Sequence, residues 1–255
     1  MKIFKVILIF VILLLISCTS TEKINVVHKA TGAIDTNCYL IYGEESKEAA
    51  IIDVGGQIDT LLNIIEKKDL SLKYFLFTHS HFDHIIEFPN IRDKYPEAKV
   101  VMHKLDYRDI FTHKEWAEKN LGDDFINSLL SDPELKKIFD FDPNSFKEPD
   151  IYIEENQLLK LGNLNITLIY SPGHSPGSIC YHIDNILFSG DVLFYRSVGR
   201  TDVQNSNKED QIKSVRRLYK ELSDSTKVYP GHGRFTNIGS EKYQNKKITI
   251  NEVYY

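Results

Sequence analysis

Three histidines and an aspartate within six residues constrain this chain more than any other feature of its sequence. The segment THSHFDH begins at Thr78 and follows the short apolar run YFLF, which predicts a buried strand. Neutral imidazole and carboxylate are ligands that zinc and related metals prefer. Side chains two apart in an extended segment point the same way, so His79 and His81 can share one metal. Asp83 and His84 then turn towards a second metal, and a polar surface loop is the weaker alternative.

The composition is that of an ordinary globular protein. The chain has 255 residues, of which 42% are hydrophobic and 26% are charged, and this length suits one large domain or two small ones. The formal net charge is -5, and the sequence has no long basic run. A nucleic-acid-binding surface normally shows clustered lysines and arginines, so the charge pattern argues against a nucleic-acid partner.

The first 17 residues predict a signal peptide that is not part of the fold. A basic start precedes an unbroken apolar run of about 11 residues, which is too short to span a bilayer. The run ends in the letters LISC, whose cysteine is Cys18, and this resembles the lipobox of bacterial lipoproteins. The resemblance implies an exported protein that is anchored to a bacterial membrane through a lipid on Cys18. An uncleaved anchor and an ordinary cleaved signal are the alternatives.

The other two cysteines are Cys38 and Cys180. Two cysteines in an exported domain could form a disulfide bond, which their spacing neither requires nor excludes. Each lies in an apolar, strand-like stretch, so we expect two buried free thiols.

Hydrophobic patterns predict a mixed succession of strands and helices with no linker that divides the domain. We expect strands over Ile24–His28, Thr36–Tyr42, Ala49–Asp53, Leu72–Phe77, Ala98–Met102, Ile151–Ile153, Gln157–Leu161, Asn165–Tyr170, Ser178–His182, Asn185–Phe188 and Lys227–Tyr229. We expect helices over Ile58–Lys68, Ile85–Lys94 with a break at Pro89, Lys208–Leu222 and Ser240–Gln244.

The region from about residue 104 to 149 differs, because its apolar residues recur at helical intervals. The letters DPE from Asp132 are typical of a helix start, with aspartate as the cap and proline in the first turn. We therefore expect an inserted pair or trio of helices. The insert has two possible roles that the sequence does not distinguish. It can pack against the edge of the fold, or it can form a lid or wall over the metal site.

Three later positions repeat one pattern, in which an apolar strand and small turn residues precede a possible ligand. His174 follows the letters SPG, Asp191 follows SG, and His232 follows PG. A glycine before the ligand lets the backbone approach closely. Each position is a weak signal by itself, but together they predict ligands at several strand ends on one rim.

The chain contains four short motifs in the order HSHFDH, PGHSPGS, SGD and YPGHG. Together they resemble the motifs of the metallo-β-lactamase superfamily. The resemblance covers nearly all of the predicted domain, which we place at residues 24–245. It implies an α+β fold, the four-layer αββα sandwich, with two metal ions in its site. The implied ligands are His79, His81 and His174 for the first metal, Asp83, His84 and His232 for the second, and Asp191 as a bridge. Asp53 would support the ligand loop.

Asp191 and the letters GRTD from Gly199 resemble single-domain glyoxalase II-like (hydroxyacylglutathione hydrolase-like) enzymes. The resemblance implies two zinc ions, with iron or manganese as alternatives, and a small thioester or ester substrate. A hydroxide that bridges the metals, oriented by Asp83, would attack the substrate carbonyl. Longer glyoxalase II enzymes help bind glutathione with a C-terminal helical domain, which we do not expect in the about ten residues that follow Gln244 here. The substrate therefore stays open.

Several polar residues outside the motifs have two interpretations each. Arg200 can bind an anionic group of the substrate, or it can pair with Asp202 in a turn. Four histidines have no partner motif and are expected to be ordinary surface or core residues: His28, His103, His113 and His182. Among them we expect His103 to line the cleft, because it ends a strand.

Three other functions compete with the hydrolase. A persulfide dioxygenase shares the fold and the GRTD letters, but it uses one iron held by two histidines and an aspartate. A β-lactamase suits an exported protein, although these enzymes usually carry cysteine or serine where Asp191 stands. A lipid-anchored binding protein without turnover conflicts with the complete ligand set.

The lipoprotein interpretation predicts that labelled palmitate is incorporated by the wild-type protein in a bacterial host. Cys18→Ser should lose the label because the acylated thiol is gone, whereas Cys38→Ser should keep it. Globomycin should block processing of the wild type. A wild-type protein that incorporates no label would contradict the interpretation.

Overall fold

The computed structural model describes residues 22–249. The predicted signal peptide and Cys18 lie outside these residues. Within them, two six-stranded sheets pack face to face and helices cover both outer faces. This is the α+β, four-layer arrangement that the sequence predicts. None of the helices between residues 22 and 249 is long and apolar enough to cross a membrane.

The first sheet contains the first six strands in chain order. They are β1 (Ile24–Thr31), β2 (Thr36–Gly43), β3 (Glu48–Ile52), β4 (Ser71–Leu76), β5 (Lys99–His103) and β6 (Ile151–Ile153). Neighbours from β1 to β3 are antiparallel, and those from β3 to β6 are parallel. The helices α1 (Asp59–Lys68), α2 (Phe82–Ile85) and α3 (Phe88–Arg92) lie between these strands in the chain.

The second sheet has the strand order β14-β13-β10-β9-β8-β7. Its strands are β7 (Gln157–Leu161), β8 (Leu164–Tyr170), β9 (Ile179–Ile183), β10 (Ile186–Gly190), β13 (Lys227–Pro230) and β14 (Thr236–Asn237). The strands β11 (Leu193–Phe194) and β12 (Ser197–Val198) form a separate ribbon. Only β10 and β13 pair in parallel in this sheet. The outer helices are α8 (Lys208–Glu221) and α9 (Ile238–Gln244).

Side-chain alternation explains why the central strands are apolar on both faces. In β2, Leu40 points outward and packs with the helices that cover the first sheet. Its neighbours Tyr39 and Ile41 point inward to the layer between the sheets. In β9, Tyr181 joins the same inner layer, while Cys180 packs on the outer side with α8. A strand buried on both faces therefore shows a continuous apolar run.

The insertion contains four α-helices rather than two or three. They are α4 (Lys104–Asp109), α5 (His113–Asn120), α6 (Asp123–Ser131) and α7 (Pro133–Phe139), followed by a short 3₁₀ turn at Pro143–Ser145. Asp132 caps α7 as predicted, because its carboxylate accepts hydrogen bonds from the N–H groups of Glu134 and Leu135. α4 has only six residues, too few for a helical repeat to be visible in the sequence.

The helix predicted over residues 85–94 is two short helices, and Pro89 plays a different part from the one expected. The proline lies in the first turn of α3, where its missing N–H costs nothing, so it starts the second helix rather than ending the first. The backbone N–H of Glu87, between the helices, donates to the carbonyl of Val54.

Cys38 and Cys180 are free and buried, as expected.

We predict that Phe88→Ala lowers the free energy of unfolding by about 3–5 kcal/mol, because it leaves a cavity in the outer core. The ring of Phe88 is fully buried, and its centroid lies 5.1, 5.1 and 4.9 Å from those of Phe75, Phe77 and Phe146. Denaturant unfolding measures the change. Leu158→Ala is the control, since Leu158 is 57% exposed and its loss should cost no more than about 0.5 kcal/mol. Equal costs for both variants would contradict this assignment of the core.

Candidate metal centre

Four loops that follow strand ends converge on one point at the rim of the sandwich. The histidine cluster follows β4 of the first sheet. The loops with His174, Asp191 and His232 follow β8, β10 and β13 of the second sheet. The seven residues that the sequence singles out as ligands fall into three overlapping groups whose potential ligand atoms lie within 4.8 Å of one another. His79, His81 and His174 form the first group, and Asp83, His84 and His232 form the second. A third group, His79, His84 and Asp191, overlaps both.

The first group brings three imidazoles together. Nδ1 of His81 lies 3.1 Å from Nε2 of His79 and 2.9 Å from Nε2 of His174. Two nitrogens that bind one tetrahedral zinc at about 2.0–2.1 Å lie about 3.3 Å apart. The three nitrogens therefore have a spacing close to that of ligands that share a metal ion.

The second group combines two imidazoles with a carboxylate. Nε2 of His84 lies 3.2 Å from Nε2 of His232. Oδ2 of Asp83 lies 3.3 Å from each of these nitrogens, and it also accepts a hydrogen bond of 3.1 Å from the hydroxyl of Thr36. This group has the mixed nitrogen and oxygen donors that borderline divalent metals accept.

Asp191 lies between the two groups. Its Oδ1 is 3.4 Å from Nε2 of His84, and its Oδ2 is 3.5 Å from Nε2 of His174 and 3.6 Å from Nε2 of His232. Oδ1 is buried, and no hydrogen-bond partner for it is found among the described residues. A buried carboxylate oxygen without a partner is costly, so this atom fits a bound cation.

The far nitrogens of the imidazoles explain which nitrogen faces the centre. Nδ1 of His84 bonds to the carboxylate of Asp53 at 2.8 Å, and Nδ1 of His232 lies 3.1 Å from the carbonyl oxygen of Ile34. Each partner can only accept a hydrogen bond, so Nδ1 of each ring carries a hydrogen. In the neutral form of the ring, Nε2 therefore bears the lone pair. Two lone pairs 3.2 Å apart cannot hydrogen-bond to each other. Either a proton or a metal ion between them removes this repulsion, so the two rings fit a bound cation.

Electrostatics favour the metal-binding forms of His79 and Asp191, but they favour a proton on His84. Burial, reinforced by His84, lowers the pKa of His79 well below its ordinary value. Burial would raise the pKa of Asp191, but the histidines around it, His84 above all, hold that pKa at about 2. For His84, burial lowers the pKa, but Asp83 and Asp191 outweigh burial and raise it well above its ordinary value. A divalent cation would replace the proton that these carboxylates favour on His84.

Asp53 lies directly beneath the histidine cluster. It follows β3 with a left-handed φ of 55°, and its carboxylate accepts hydrogen bonds from the N–H (2.8 Å) and the hydroxyl (2.7 Å) of Thr78. The third contact is the 2.8 Å bond to His84. Asp53 therefore fixes both the start of the ligand loop and the ring of one ligand.

Two glycines let the backbone approach the centre closely. A Cβ on Gly231 would lie 2.1 Å from Oδ1 of Asp191 and 2.8 Å from the ring of His84. A Cβ on Gly55 would lie 2.1 Å from the carbonyl oxygen of Asp83. The glycine that precedes His232 is therefore required by the close packing of ligands.

Arg200 forms the pair that was one of its two interpretations. Its guanidinium donates to both carboxylate oxygens of Asp202, at 2.6 and 3.0 Å, and both side chains are largely exposed. The carbonyl oxygen of Arg200 also lies 2.9 Å from Nδ1 of His174, which orients that ring. Contact of Arg200 with substrate stays a prediction.

His113 faces the cleft, and the expectation for His103 is wrong. His103 caps α4 by accepting from the N–H of Leu105, and its ring stacks on Tyr170 with centroids 4.5 Å apart. The ring of His113 lies 5.2 Å from that of His81 and lines the cavity beside the ligands. The difference arises because α4 turns the chain after β5, which directs the strand end away from the cleft and brings α5 over it.

Ser80 and His113 form a serine–histidine contact that sequence reasoning did not find. Oγ of Ser80 lies 3.0 Å from Nε2 of His113. Ser80 is fully buried, so its hydroxyl has no access to a substrate. The pair therefore packs α5 against the ligand loop and does not form a nucleophile with a base.

Asp106 is a second residue that sequence reasoning missed. Its buried carboxylate accepts hydrogen bonds from the N–H of Ser80 (3.0 Å), the hydroxyl of Ser175 (2.7 Å) and the N–H of Gly177. Burial, with a smaller effect of Asp109, raises the pKa of Asp106 to about 7 against the opposing effect of these hydrogen bonds. Ser80 lies between His79 and His81 in the chain and Ser175 follows His174, so one carboxylate joins both loops of the first ligand group.

The ligands open into a cavity of about 740 Å³. His81, Asp83 and Asp191 contribute to its base, and helices α5, α6 and α7 of the insertion contribute to its wall. The insertion is therefore a wall of the cleft, which was one of its two expected roles.

Comparison with known proteins identifies the family to which this arrangement belongs. The profile of the metallo-beta-lactamase superfamily matches residues 31–232, a span that contains all seven candidate ligands. The chain belongs to the metallo-β-lactamase superfamily. Divalent metals bind to this fold, and the His/Asp groups of the chain are candidate sites for them.

Individual members of the superfamily match over nearly their whole length. Hydroxyacylglutathione hydrolase GloC of Haemophilus influenzae is 36% identical over 217 residues, which are 84% of this chain and 92% of that protein. BLEG-1 B3 metallo-beta-lactamase superposes with a TM-score of 0.69 at 31% identity, over 88% of this chain and 100% of that one. TTHA1623 in a di-iron-bound form has a TM-score of 0.67 at 27% identity, over 87% and 100%. The superfamily and its named relative point to a metal-dependent hydrolase.

We predict that Asp106→Asn lowers the affinity for Zn²⁺ about 10- to 100-fold, because the two loops of the first ligand group lose a common acceptor. Competition with a chromogenic chelator measures the affinity. Asp59→Asn is the control, since Asp59 is exposed in the first turn of α1, on an outer face of the sandwich. Circular dichroism of the metal-free proteins shows whether the variant folds. A folded Asp106→Asn with wild-type affinity would contradict the role of Asp106.

Proposed function

We propose that this protein is a dinuclear metal-dependent hydrolase that cleaves a thioester or ester with an activated water molecule. The position of Asp191 carries the proposal. Its two oxygens face ligand nitrogens of both groups, at 3.4 Å for His84 and 3.5 Å for His174. A carboxylate placed in this way suits a bridge between two metal ions.

The ligand assignment follows the observed groups. His79, His81 and His174 would hold the first metal, and Asp83, His84 and His232 the second, with Asp191 shared. Bound metal ions would supply a lowered pKa for water, polarisation of the substrate carbonyl and stabilisation of the leaving group. Zinc is our first choice because its usual ligands are imidazole nitrogen and carboxylate oxygen.

The protein's own residues would orient the reactants. Burial would raise the pKa of Asp83, but His84 and His232 outweigh burial and hold that pKa well below its ordinary value. Asp83 is therefore ionised, and its carboxylate can accept a hydrogen bond from the attacking water. Thr36 donates to Oδ2 of this carboxylate and restrains it.

The buried thiols are unsuited to covalent catalysis. Burial raises the pKa of Cys38 to about 11 and that of Cys180 to about 12, so both remain thiols at neutral pH. Both side chains are completely buried. Among the described residues, direct attack by water is therefore better supported than a cysteine nucleophile.

The relatives add support for the class of substrate. The name of GloC, hydroxyacylglutathione hydrolase, describes a thioesterase, and this relative is 36% identical. BLEG-1 is named a B3 metallo-beta-lactamase at 31% identity, so a cephalosporin belongs in any substrate test. The crystal structure of TTHA1623 is of a di-iron-bound form, which supports a centre with two metals. We further propose that the protein acts outside the cytoplasm, anchored through Cys18.

We predict that protein purified from its native host contains two metal ions per chain and hydrolyses a thioester or ester. Asp191→Ala should lose metal and lower kcat/KM at least about 100-fold, because it removes the carboxylate that both groups face. Metal analysis and a panel of lactoylglutathione, a homoserine lactone, a chromogenic cephalosporin and glutathione persulfide provide the measurements.

Asp59→Ala is the matched control and should keep both metal and turnover, since Asp59 is exposed on the outer face. Full turnover by Asp191→Ala would refute the bridging role. If the protein contains one iron per chain and oxidises glutathione persulfide, it is a dioxygenase and the hydrolase proposal is wrong. If two metals are bound and no ester or thioester is cleaved, the proposal fails.

A further inference from the structure

The cavity beside the candidate metal centre is apolar over most of its wall. The insertion contributes one side of it, with the residues Trp116, Ala117, Leu121, Leu129, Leu135 and Ile138. The sandwich contributes Ile34, Phe82, Phe194, Val198 and Val203 on the other side. Such a surface gains free energy when it covers apolar rather than charged groups of a ligand.

The two lysine or arginine side chains at the cavity, Lys114 and Arg200, already make contacts within the protein. Arg200 forms a two-point ion pair with Asp202, and the ammonium group of Lys114 lies 5.3 Å from the ring centroid of Phe139. A substrate with several carboxylates, such as a glutathione thioester, would have to disrupt these contacts to be neutralised. The cavity therefore offers a polyanionic group two lysine or arginine side chains that already have contacts, and it offers a hydrocarbon chain an apolar wall.

The size and position of the cavity fit one end of a substrate. Its volume of about 740 Å³ lies within the range of about 300–1,000 Å³ that is usual for small-ligand sites. Asp83, His174, Asp191 and His232 are part of the same cavity, so a chain held under the insertion leads directly to the ligands.

We propose that the helical insertion forms a hydrocarbon-binding pocket and that the substrates are esters or thioesters with a medium-length apolar chain. This inference rests on the proposed hydrolase function and specifies its substrate class. The carbonyl lies at the ligand end of the cavity, and the chain extends between α5–α7 and the sandwich. Hydrolysis adds water across the carbonyl–oxygen or carbonyl–sulfur bond, so the products are a carboxylic acid and an alcohol or thiol.

A chain-length series tests the pocket through turnover. The substrates are acetyl, butyryl, octanoyl and decanoyl thioesters of one small thiol, with lactoylglutathione for comparison. Each methylene moved from water into the pocket should raise kcat/KM about 3- to 4-fold, so decanoyl, with about six more methylenes, should exceed butyryl by roughly 700- to 4,000-fold. A matched series of alkyl acetates shows whether the chain is accepted from the acyl or the alcohol side.

Trp116 provides a readout that does not depend on catalysis. It is the one tryptophan in the sequence, and its side chain is part of the pocket wall. Decanoate should therefore shift or quench the tryptophan fluorescence in a saturable titration, while acetate, which shares the carboxylate, should not. The titration uses full-length protein both with and without Zn²⁺.

Ala117→Phe tests the depth of the pocket, because the larger side chain fills space on the wall. It should lower kcat/KM for the decanoyl substrate at least about 10-fold, and it should lower kcat/KM for the butyryl substrate by less. Glu118→Phe is the control, since Glu118 is exposed on the same helix and does not line the cavity.

The outcomes separate this inference from the proposed function. If decanoate changes the fluorescence of a protein that cleaves neither an ester nor a thioester, the pocket is supported and the hydrolase is refuted. A flat chain-length series together with unchanged fluorescence overturns the pocket and leaves the hydrolase standing. Lactoylglutathione that is cleaved faster than every apolar substrate also overturns the pocket.

Discussion

The carboxylate of Asp53 is the contact on which the geometry of the metal centre depends. It accepts hydrogen bonds from the N–H and the hydroxyl of Thr78 and from Nδ1 of His84, with donor–acceptor distances of 2.8, 2.7 and 2.8 Å. These bonds fix the point at which the chain leaves β4, and they turn the lone pair of His84 towards Asp83 and Asp191. Asp53 itself adopts a left-handed φ at the end of β3, a conformation that its surroundings stabilise.

The sandwich brings the other ligands to this fixed point by joining the ends of its two sheets. The N–H of Ile179 in the second sheet donates to the carbonyl of Thr78 at 2.8 Å. The hydroxyl of Tyr181 donates to the carbonyl of Phe77, and that of Tyr39 donates to Pro230, at 2.7 and 2.6 Å. These bonds lie beside the ligand loops, so the inner core and the site are continuous.

The features that could be predicted from the sequence are those that leave a pattern in a few consecutive residues. The apolar strands and the glycine or proline before each ligand are visible in a few consecutive letters, and the structure brings the predicted ligands together. Asp106 left no such pattern, because its partners Ser80 and Gly177 are 26 and 71 positions away. The place of His113 depends on how α4 and α5 turn after β5. Strands of two residues, such as β14, are too short for an alternation to appear.

The division of the candidate ligands between the two sheets links the stability of the protein to bound metal. Four of them follow β4 in the first sheet, and three follow strands of the second, so a cation held by both sets would fasten one layer to the other. The free energy of that attachment exists only in the folded chain and grows with the concentration of free metal. Resistance to heat and to proteases would thus follow the metal supply of the compartment in which the protein resides.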